Sequence, residues 1–366
     1  MLLRVAPQEP PFCPNDGCWF HQHDRDSWPF IRAGFFVRKH LSGRIQRWRC
    51  LHCKRYFSAQ TFRTDYWLKK PHLQLPLFMA LVSCSCARQI AREFGVSPET
   101  VLRQTARLGR HSLLFHYQNR PRGPVSEPLV VDGIESFEYS QYTPVHFHLA
   151  IGSSSHYVYG FTDSELRRKG RMTVVQRRRR TELELRLGRP DPKSIEKEFA
   201  ALLELVAPGP QKLALFTDEH QAYPRALRRL PHLAIEHDRT SSRAERTAQN
   251  PLWPINHADM LIRHSLSEHK RETISFARRR QCSAERLWVF VVWKNWIKSF
   301  SERRKDGSPA MRLGITDHRW TVEEVLEDRL FPKRLQLPKR WSDYYWRRIP
   351  TRRIPRVRKH RRKFAS

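Results

Sequence analysis

The sequence predicts an α/β fold in which a mixed sheet with helices follows two smaller amino-terminal modules. Three observations support this prediction. Four cysteines form two closely spaced pairs near the amino terminus, a helix–glycine–helix pattern follows them, and strand-like runs then alternate with helical ones. The last part runs as three strands, a helix, a strand, a helix and a strand, so we expect mixed strand directions in the sheet.

The charge of the chain indicates its class of partner. Its 366 residues carry a formal net charge of +32 at neutral pH. Mutual repulsion of that size favours a polyanionic partner, and DNA or RNA is the default. The apolar runs are too short to span a bilayer, and the first residues lack a secretory segment. We therefore expect a soluble, cytoplasmic protein that binds nucleic acid and no membrane.

The four paired cysteines predict a structural zinc site. Cys13 and Cys18 form a C-x4-C pair, and Cys50 and Cys53 form a C-x2-C pair. Two such pairs can complete the tetrahedral shell of a zinc ion and leave no open position for catalysis. The alternative is ordinary buried thiols. An odd number of cysteines in an intracellular protein argues against disulfides, and three lie outside the pairs: Cys84, Cys86 and Cys282.

The segment after the cysteines predicts a helix-turn-helix. Ile90 and Phe94 lie on one apolar stripe, Gly95 provides the turn, and Ser97 with Pro98 begins a second helix. In DNA-binding modules of this type the second helix lies in the major groove. The alternative is a plain pair of packed helices. The residues that we expect to contact DNA are Arg88, Thr100, Arg103, Gln104 and Arg107.

Two aspartates end buried strands of the predicted sheet. Asp132 ends the run PLVVD and Asp218 ends the run KLALFTD. The carboxyl ends of strands are where α/β sheets place their sites, and carboxylates are the ligands that hard divalent cations require. Such cations promote phosphoryl transfer. The alternative is that each aspartate only caps a strand or begins a turn. Taken together, the two aspartates predict a metal-dependent catalytic site.

These motifs together resemble compact bacterial insertion-sequence transposases of the DDE group, whose catalytic domain is ribonuclease H-like. The resemblance covers about residues 10–300. It rests on the zinc ribbon, the helix-turn-helix, and the segments VVDGIESF, LFTDEHQAYPRAL and NHADMLIRHSLSEHKRETISFARR.

The resemblance implies a DNA transposase that binds element ends, cleaves them with metal-activated water and joins a 3′ hydroxyl to target DNA. Asp132 would be the first-strand aspartate and Asp218 the fourth-strand aspartate, both ligands of Mg²⁺ or Mn²⁺. A bacterial, nucleoid-associated homodimer acting on double-stranded DNA is also implied. The competing hypothesis is a catalytically inactive, transposase-derived DNA-binding protein.

The third acid departs from the pattern of the family. Members normally carry a glutamate on the helix after the last strand, often three residues after an asparagine. Here Asn256 is followed at that spacing by Asp259. We expect Asp259 to be the third catalytic acid and magnesium ligand, with Glu245 as the second candidate. Alignment on the downstream segment instead puts Asn256 at the acidic position, which would weaken metal binding.

The order of these motifs gives the expected domain organisation. It consists of a zinc ribbon (1–65), a helix-turn-helix domain (66–118), a linker (119–128), a catalytic domain (129–300) with a basic insertion at about 166–193, and a basic tail (301–366).

Overall fold

The amino-terminal part of the protein forms a small antiparallel sheet. The computed structural model describes residues 9–23, 25–38, 43–241 and 243–351. The three strands of this sheet are β1 (Phe30–Val37), β2 (Arg44–Cys50) and β3 (Tyr56–Ser58), in that spatial order. Cys13 and Cys18 precede β1, Cys50 ends β2, and Cys53 follows it. The hairpin of β1 and β2 therefore brings the second pair of cysteines back to the first.

A mixed five-stranded sheet forms the centre of the fold, as predicted. Its strands are β4 (Leu129–Phe137), β5 (Pro144–Gly152), β6 (Val158–Glu165), β7 (Gln211–Asp218) and β8 (Leu233–Thr240). The spatial order is β6-β5-β4-β7-β8. The first three strands pair antiparallel, and β4–β7 and β7–β8 pair parallel. The central strand β4 therefore joins an antiparallel half to a parallel half.

Helices cover both faces of this sheet. The longer helices of this part of the chain are α1 (Gln74–Leu81), α2 (Ala87–Glu93), α3 (Pro98–Asn119), α4 (Val174–Leu187), α5 (Ser194–Val206), α6 (Ala222–Leu227), α7 (Trp253–Ser265) and α8 (Arg280–Val292). Helix α5 packs on β5 and β6, while α7 packs on β4 and β5. On one face of β5, His148 contacts Phe199 of α5. On the opposite face, the preceding residue Phe147 contacts His269, which follows α7. Successive strand residues point to opposite faces, so these helices lie on opposite sides.

Helix α3 belongs to the core of the whole protein. It packs along α8, and the two backbones approach so closely that a Cβ at Gly109 would collide with the carbonyl group of Glu285. One continuous hydrophobic core extends from Leu77 to Ile349. The predicted boundary at 119–128 therefore separates chain segments that share one core. None of the helices in the described ranges is long and apolar enough to cross a membrane.

The segment after residue 300 differs from the predicted basic tail. It folds into α9 (Pro309–Arg312), α10 (Val322–Val325), α11 (Pro332–Leu335) and α12 (Lys339–Tyr345). Trp341 is 0% exposed and Tyr344 is 1% exposed, because their spacing of three residues puts both rings on the inner face of α12. The most basic stretch of the predicted tail, residues 352–366, lies outside the described residues.

The predicted basic insertion forms the exposed helix α4. A capping box between Thr173 and Gln176 begins the helix, and none of its residues is buried. Surface ion pairs run along it, including Arg178 and Arg179 with Glu182. The helix therefore presents its cationic side chains to solvent.

A buried carboxylate fastens the carboxyl-terminal helices to the sheet. Asp163 on β6 accepts a hydrogen bond of 2.5 Å from the Tyr344 hydroxyl group and another of 2.9 Å from Arg340, both on α12. Arg280, which begins α8, pairs with the same carboxylate at 3.0 Å. Asp163 is 1% exposed, so these partners replace its lost hydration. Removal of one partner would leave buried charge without compensation.

Replacing this carboxylate tests its structural role. We expect Asp163→Ala to lower the free energy of unfolding by about 3–5 kcal/mol, because the buried Arg280 and the half-buried Arg340 lose their shared partner. Denaturant unfolding followed by circular dichroism measures the change. Glu182→Ala removes a carboxylate that pairs with two arginines at the surface, and it should cost less than about 1 kcal/mol. Equal losses in the two variants would contradict this role.

Candidate functional site

The four paired cysteines form a compact cluster that fits a zinc ion. Their sulfur atoms all lie within 4.8 Å of one another. The Sγ atoms of Cys13 and Cys53 are 3.7 Å apart, and those of Cys18 and Cys50 are 3.9 Å apart. Tetrahedral zinc with bonds of about 2.3 Å to sulfur requires separations of about 3.8 Å. The spacing of the thiols is therefore that of a four-thiolate zinc shell.

The surroundings of the cluster support this donor set. The indole N–H of Trp28 donates to Cys50 Sγ at 3.2 Å. Burial raises the pKa of the Cys13 thiol and of the Cys18 thiol, so a cation is needed to hold them as thiolates. The imidazole of His21 is turned to the carbonyl group of Cys13 at 2.8 Å and does not enter the cluster.

Cationic and aromatic side chains cover the outer surface of this module. The ring of Tyr56 lies between the guanidinium groups of Arg47 and Arg49, each 5.4 Å from its centroid. Trp19 and Phe35 are 61% and 57% exposed. Exposed rings beside arginines are the chemistry with which proteins stack bases and hold phosphates.

The helix-turn-helix residues divide into exposed and internal groups. Gly95 adopts φ 59°, and the side chain of Ser97 caps α3 by accepting from the Thr100 N–H group at 3.2 Å, so the predicted turn chemistry is present. Arg88 and Arg103 are exposed.

Two residues expected on the DNA-facing surface lie inside the protein instead. Gln104 is 6% exposed, and Arg107 donates its Nε–H to the carbonyl oxygen of Thr64 at 2.9 Å. The reason is the length of α3, whose 22 residues cross the whole core and bury the stripe that contains Gln104. The helix lacks the free face that a short recognition helix would present at these positions.

The tertiary structure brings Asp132 and Asp218 to adjacent positions. The parallel pairing of β4 with β7 sets Leu129 opposite Leu215 and Val130 opposite Phe216. The observed pairing ends two residues before Asp132 and Asp218, and the charge of Asp218 still acts on Asp132. Asp218 ends β7 as expected, but Asp132 is the fourth of nine residues in β4 and does not end it, because residues 133–137 continue to pair with β5. Neighbouring strands lie about 4.8 Å apart, so the two carboxylates lie on neighbouring strands of the same sheet.

Backbone and side-chain donors orient both carboxylates. The Oδ1 atom of Asp132 accepts from the N–H group of Gly133 at 2.7 Å and from the Tyr223 hydroxyl group at 3.3 Å. The ring of Tyr223 is stacked on Phe199 at 4.3 Å, which fixes its position. Asp218 accepts from the N–H group of His220 at 2.9 Å. These contacts use one oxygen of each aspartate.

Asp259, and not Glu245, lies beside this pair. Asp259 is on α7. Burial raises the pKa of Tyr223, and the charges of Asp132, Asp218 and Asp259 add to the shift. Its Oδ1 atom is buried without a hydrogen-bond partner. Glu245 is exposed in the loop before α7. Asn256 lies one turn before Asp259 on the same helix.

Burial and mutual repulsion disfavour ionisation of the acids. Burial raises the pKa of Asp132 to about 6, and the charge of Asp218 adds to the shift while Arg246 opposes it. Burial also raises the pKa of Asp259 to about 7, where Asp132 adds to the shift and Arg263 opposes it. A divalent cation would offset this repulsion, and the donor set is the all-oxygen type that magnesium prefers. Among the described residues only the cysteines form a ready-made ligand cluster.

Several residues around the acids were not anticipated from the sequence. Tyr223 follows Asp218 by five residues, a spacing that could have suggested a contact back to the strand ends. A Cβ at Gly133 would collide with the His146 imidazole, so the position after Asp132 has room only for glycine. Arg246 is brought to Asp132 by a loop, which no sequence spacing predicts.

Comparison with known proteins gives no family for this chain. No family model and no curated protein matches it. Among solved structures, it is similar to a chain of the cryo-electron-microscopy structure of a simian T-cell lymphotropic virus intasome in complex with PP2A regulatory subunit B56 gamma. The identity is 15%, the alignment covers 79% of this chain and 85% of that chain, and the TM-score is 0.25. A likeness at this level supports no conclusion about function.

Substitution of one thiol tests the zinc assignment. We expect Cys50→Ser to lose bound zinc and the fold of the small module, because a hydroxyl group is a poor replacement for a thiolate ligand. Elemental analysis of purified protein gives the zinc content, which should fall from about one ion per chain to a small fraction of that. Cys86→Ser changes a cysteine outside the cluster and should retain the metal. Full zinc content in Cys50→Ser would exclude the assignment.

Proposed function

We propose that this protein is a metal-dependent DNA strand transferase of the transposase type, with a ribonuclease H-like catalytic sheet. The observation that carries the proposal is the meeting of Asp132 and Asp218 on adjacent strands with Asp259 beside them. Acids on two neighbouring strands and on a helix packed against them, two of the three with raised pKa values, are a typical arrangement for cations that act on phosphodiesters.

Each acid has a defined part in this proposal. Asp132, Asp218 and Asp259 would hold Mg²⁺ or Mn²⁺, which supplies Lewis-acid activation of the phosphodiester and of the attacking oxygen when bound. Tyr223 keeps the Asp132 carboxylate in one orientation through its hydrogen bond. Arg246 and Arg263, whose charges reach Asp132 and Asp259, are placed to contact the phosphates that flank the reacting bond.

The remaining surfaces supply DNA binding in this proposal. The cationic and aromatic face of the zinc module and the exposed Arg88 and Arg103 would hold element ends, and α4 would contact the backbone of the same or target DNA. Binding of this kind weakens steeply with salt because neutralised phosphates release counterions. Action on paired double-stranded ends as a homodimer in the bacterial nucleoid is part of the proposal, as the sequence resemblance implies.

The reaction itself is the direct test. With Mg²⁺ or Mn²⁺, we expect the protein to nick DNA that contains its element ends. Asp132→Asn or Asp218→Asn should reduce the nicking rate by more than about 100-fold, because loss of a residue that only supports a metal ligand costs up to about 100-fold. Gel analysis of end-labelled DNA measures the rate. Glu219→Gln changes an exposed acid beside Asp218 and should retain activity. Undiminished cleavage by both aspartate variants would refute the mechanism.

The identity of the third acid needs its own test. Because Asp259 lies beside Asp132 and Glu245 is exposed in a loop, we expect Asp259→Asn to reduce both cleavage and Mn²⁺ affinity. Titration of Mn²⁺ followed by thermal unfolding measures the affinity, which should fall by about tenfold or more when one charged ligand becomes neutral. Glu245→Gln is the matched control and should behave as the unaltered protein. The reverse pattern would assign the role to Glu245.

One observation favours the alternative of an inactive DNA-binding protein. Aspartate at position 259 is one methylene shorter than the glutamate normal for the resembled family, and the acids do not already form a ligand cluster among the described residues. In that case DNA binding persists at low salt. The protein then cleaves no DNA with any divalent metal ion, and the variants of Asp132, Asp218 and Asp259 bind DNA as the unaltered protein does.

A further inference from the structure

An arginine-rich cavity lies where the zinc module, α3 and the carboxyl-terminal segment meet. Its volume is about 470 Å³, which is within the range of small-ligand pockets. It is far from neutral, since one carboxylate, that of Asp16, faces five cationic side chains. These are Arg55, Arg107, Arg110, Arg329 and Lys333.

The acids near this cavity are already paired with other cations. Asp16 pairs with Lys333 at 2.8 Å, and Asp65, the acid whose charge reaches Arg107, pairs with Arg63 at 2.9 Å. Among the described residues, no carboxylate lies within ion-pair distance of Arg107, Arg110 or Arg329. Glu285, whose charge reaches Arg110, pairs with Arg347 at 2.8 Å. The three guanidinium groups therefore lack an ion-pair partner of their own within the described residues.

Hydrogen bonds hold these guanidinium groups in place. Arg107 donates to the carbonyl oxygen of Thr64 at 2.9 Å, and Arg329 donates to that of Thr61 at 3.3 Å. Arg329 also lies over the ring of Tyr66 at 4.7 Å. Preorganised donors of this kind bind an anion without the entropic cost of ordering long side chains.

Burial makes the like charges costly in the absence of an anion. Burial lowers the pKa of Arg107 to about 10, and the charges of Arg329 and Arg110 lower it further. Burial also lowers the pKa of Arg110 and of Arg329. An anion between these groups would relieve both the desolvation and the repulsion.

We propose that this cavity binds a phosphate group through the guanidinium groups of Arg107, Arg110 and Arg329. A tetrahedral phosphate offers three or more oxygens to three planar donors, whereas a carboxylate offers two. The rings of Tyr345 and Trp346 line the same cavity and offer flat faces for a base. The phosphate therefore belongs either to a nucleic acid or to the free ion, and binding experiments separate these two sources.

The full-length protein is titrated with inorganic phosphate, with a 5′-phosphorylated tetranucleotide and with its 5′-hydroxyl counterpart, at constant ionic strength. Thermal unfolding and calorimetry report binding. We expect a saturable rise in Tm with phosphate and none with acetate. If the cavity binds a phosphate group of nucleic acid, the phosphorylated tetranucleotide binds more tightly than inorganic phosphate. If it binds the free ion, inorganic phosphate binds more tightly. Either order supports the cavity as a phosphate site.

Two variants and one matched control localise the binding. Arg107→Gln and Arg329→Gln should each raise the Kd for phosphate by about tenfold or more, because each removes charge-assisted hydrogen bonds. Without phosphate their Tm should not fall, since each also removes repulsion. Arg319→Gln removes the same charge from an exposed position in the carboxyl-terminal segment, outside the lining of the cavity, and should leave the Kd unchanged.

Two results would overturn the proposal. One is the absence of a saturable phosphate response in the unaltered protein. The other is a lower Tm of Arg107→Gln without phosphate combined with an unchanged phosphate response, which would make Arg107 a structural residue. Neither result depends on whether the aspartate site cleaves DNA.

Discussion

The parallel pairing of β4 with β7 is the constraint on which the rest of the structure depends. β4 is the central strand, so its register with β5 on one side and β7 on the other fixes the whole sheet. A slip of one residue would turn every side chain of the strand to the other face. The observed pairing ends two residues before Asp132 and Asp218, so these aspartates lie on neighbouring strands, and α7, which carries Asp259, packs on β4.

The site concentrates negative charge in a strongly positive protein. The chain carries a net charge of +32, yet the three aspartates lie together with one burial-raised pKa of about 6 and another of about 7. Arg246 opposes the rise in the pKa of Asp132, and Arg263 opposes that of Asp259. In the proposed function, these acids hold metal ions and the surrounding basic surface holds phosphates.

The carboxyl-terminal segment connects the parts of the molecule. Asp163 ties α12 to β6, while the hydroxyl group of Thr64 donates to the carbonyl oxygen of Leu326 at 2.6 Å and Gln22 donates to that of Lys333 at 2.7 Å. The zinc module is thereby joined to the sheet through residues far apart in the chain. The arginine-rich cavity lies at this junction, so a bound anion would strengthen the connection between the modules.

The sequence by itself determined the local chemistry. The spacing of the cysteines, the turn at Gly95 and the apolar runs before Asp132 and Asp218 depend on neighbours in the chain. The structure contains the cluster, the turn and both strands, although β4 continues beyond Asp132 to Phe137. Only the tertiary structure decided which side chains face solvent. Gln104 and Trp341 are buried because helices distant in sequence cover them, and Asp259 approaches Asp132 because α7 folds back on the sheet. Packing between distant segments leaves no mark in local spacing, so the burial of Gln104 and Trp341 could not be predicted from the sequence, whereas Asp259 was expected near Asp132 only through the family resemblance.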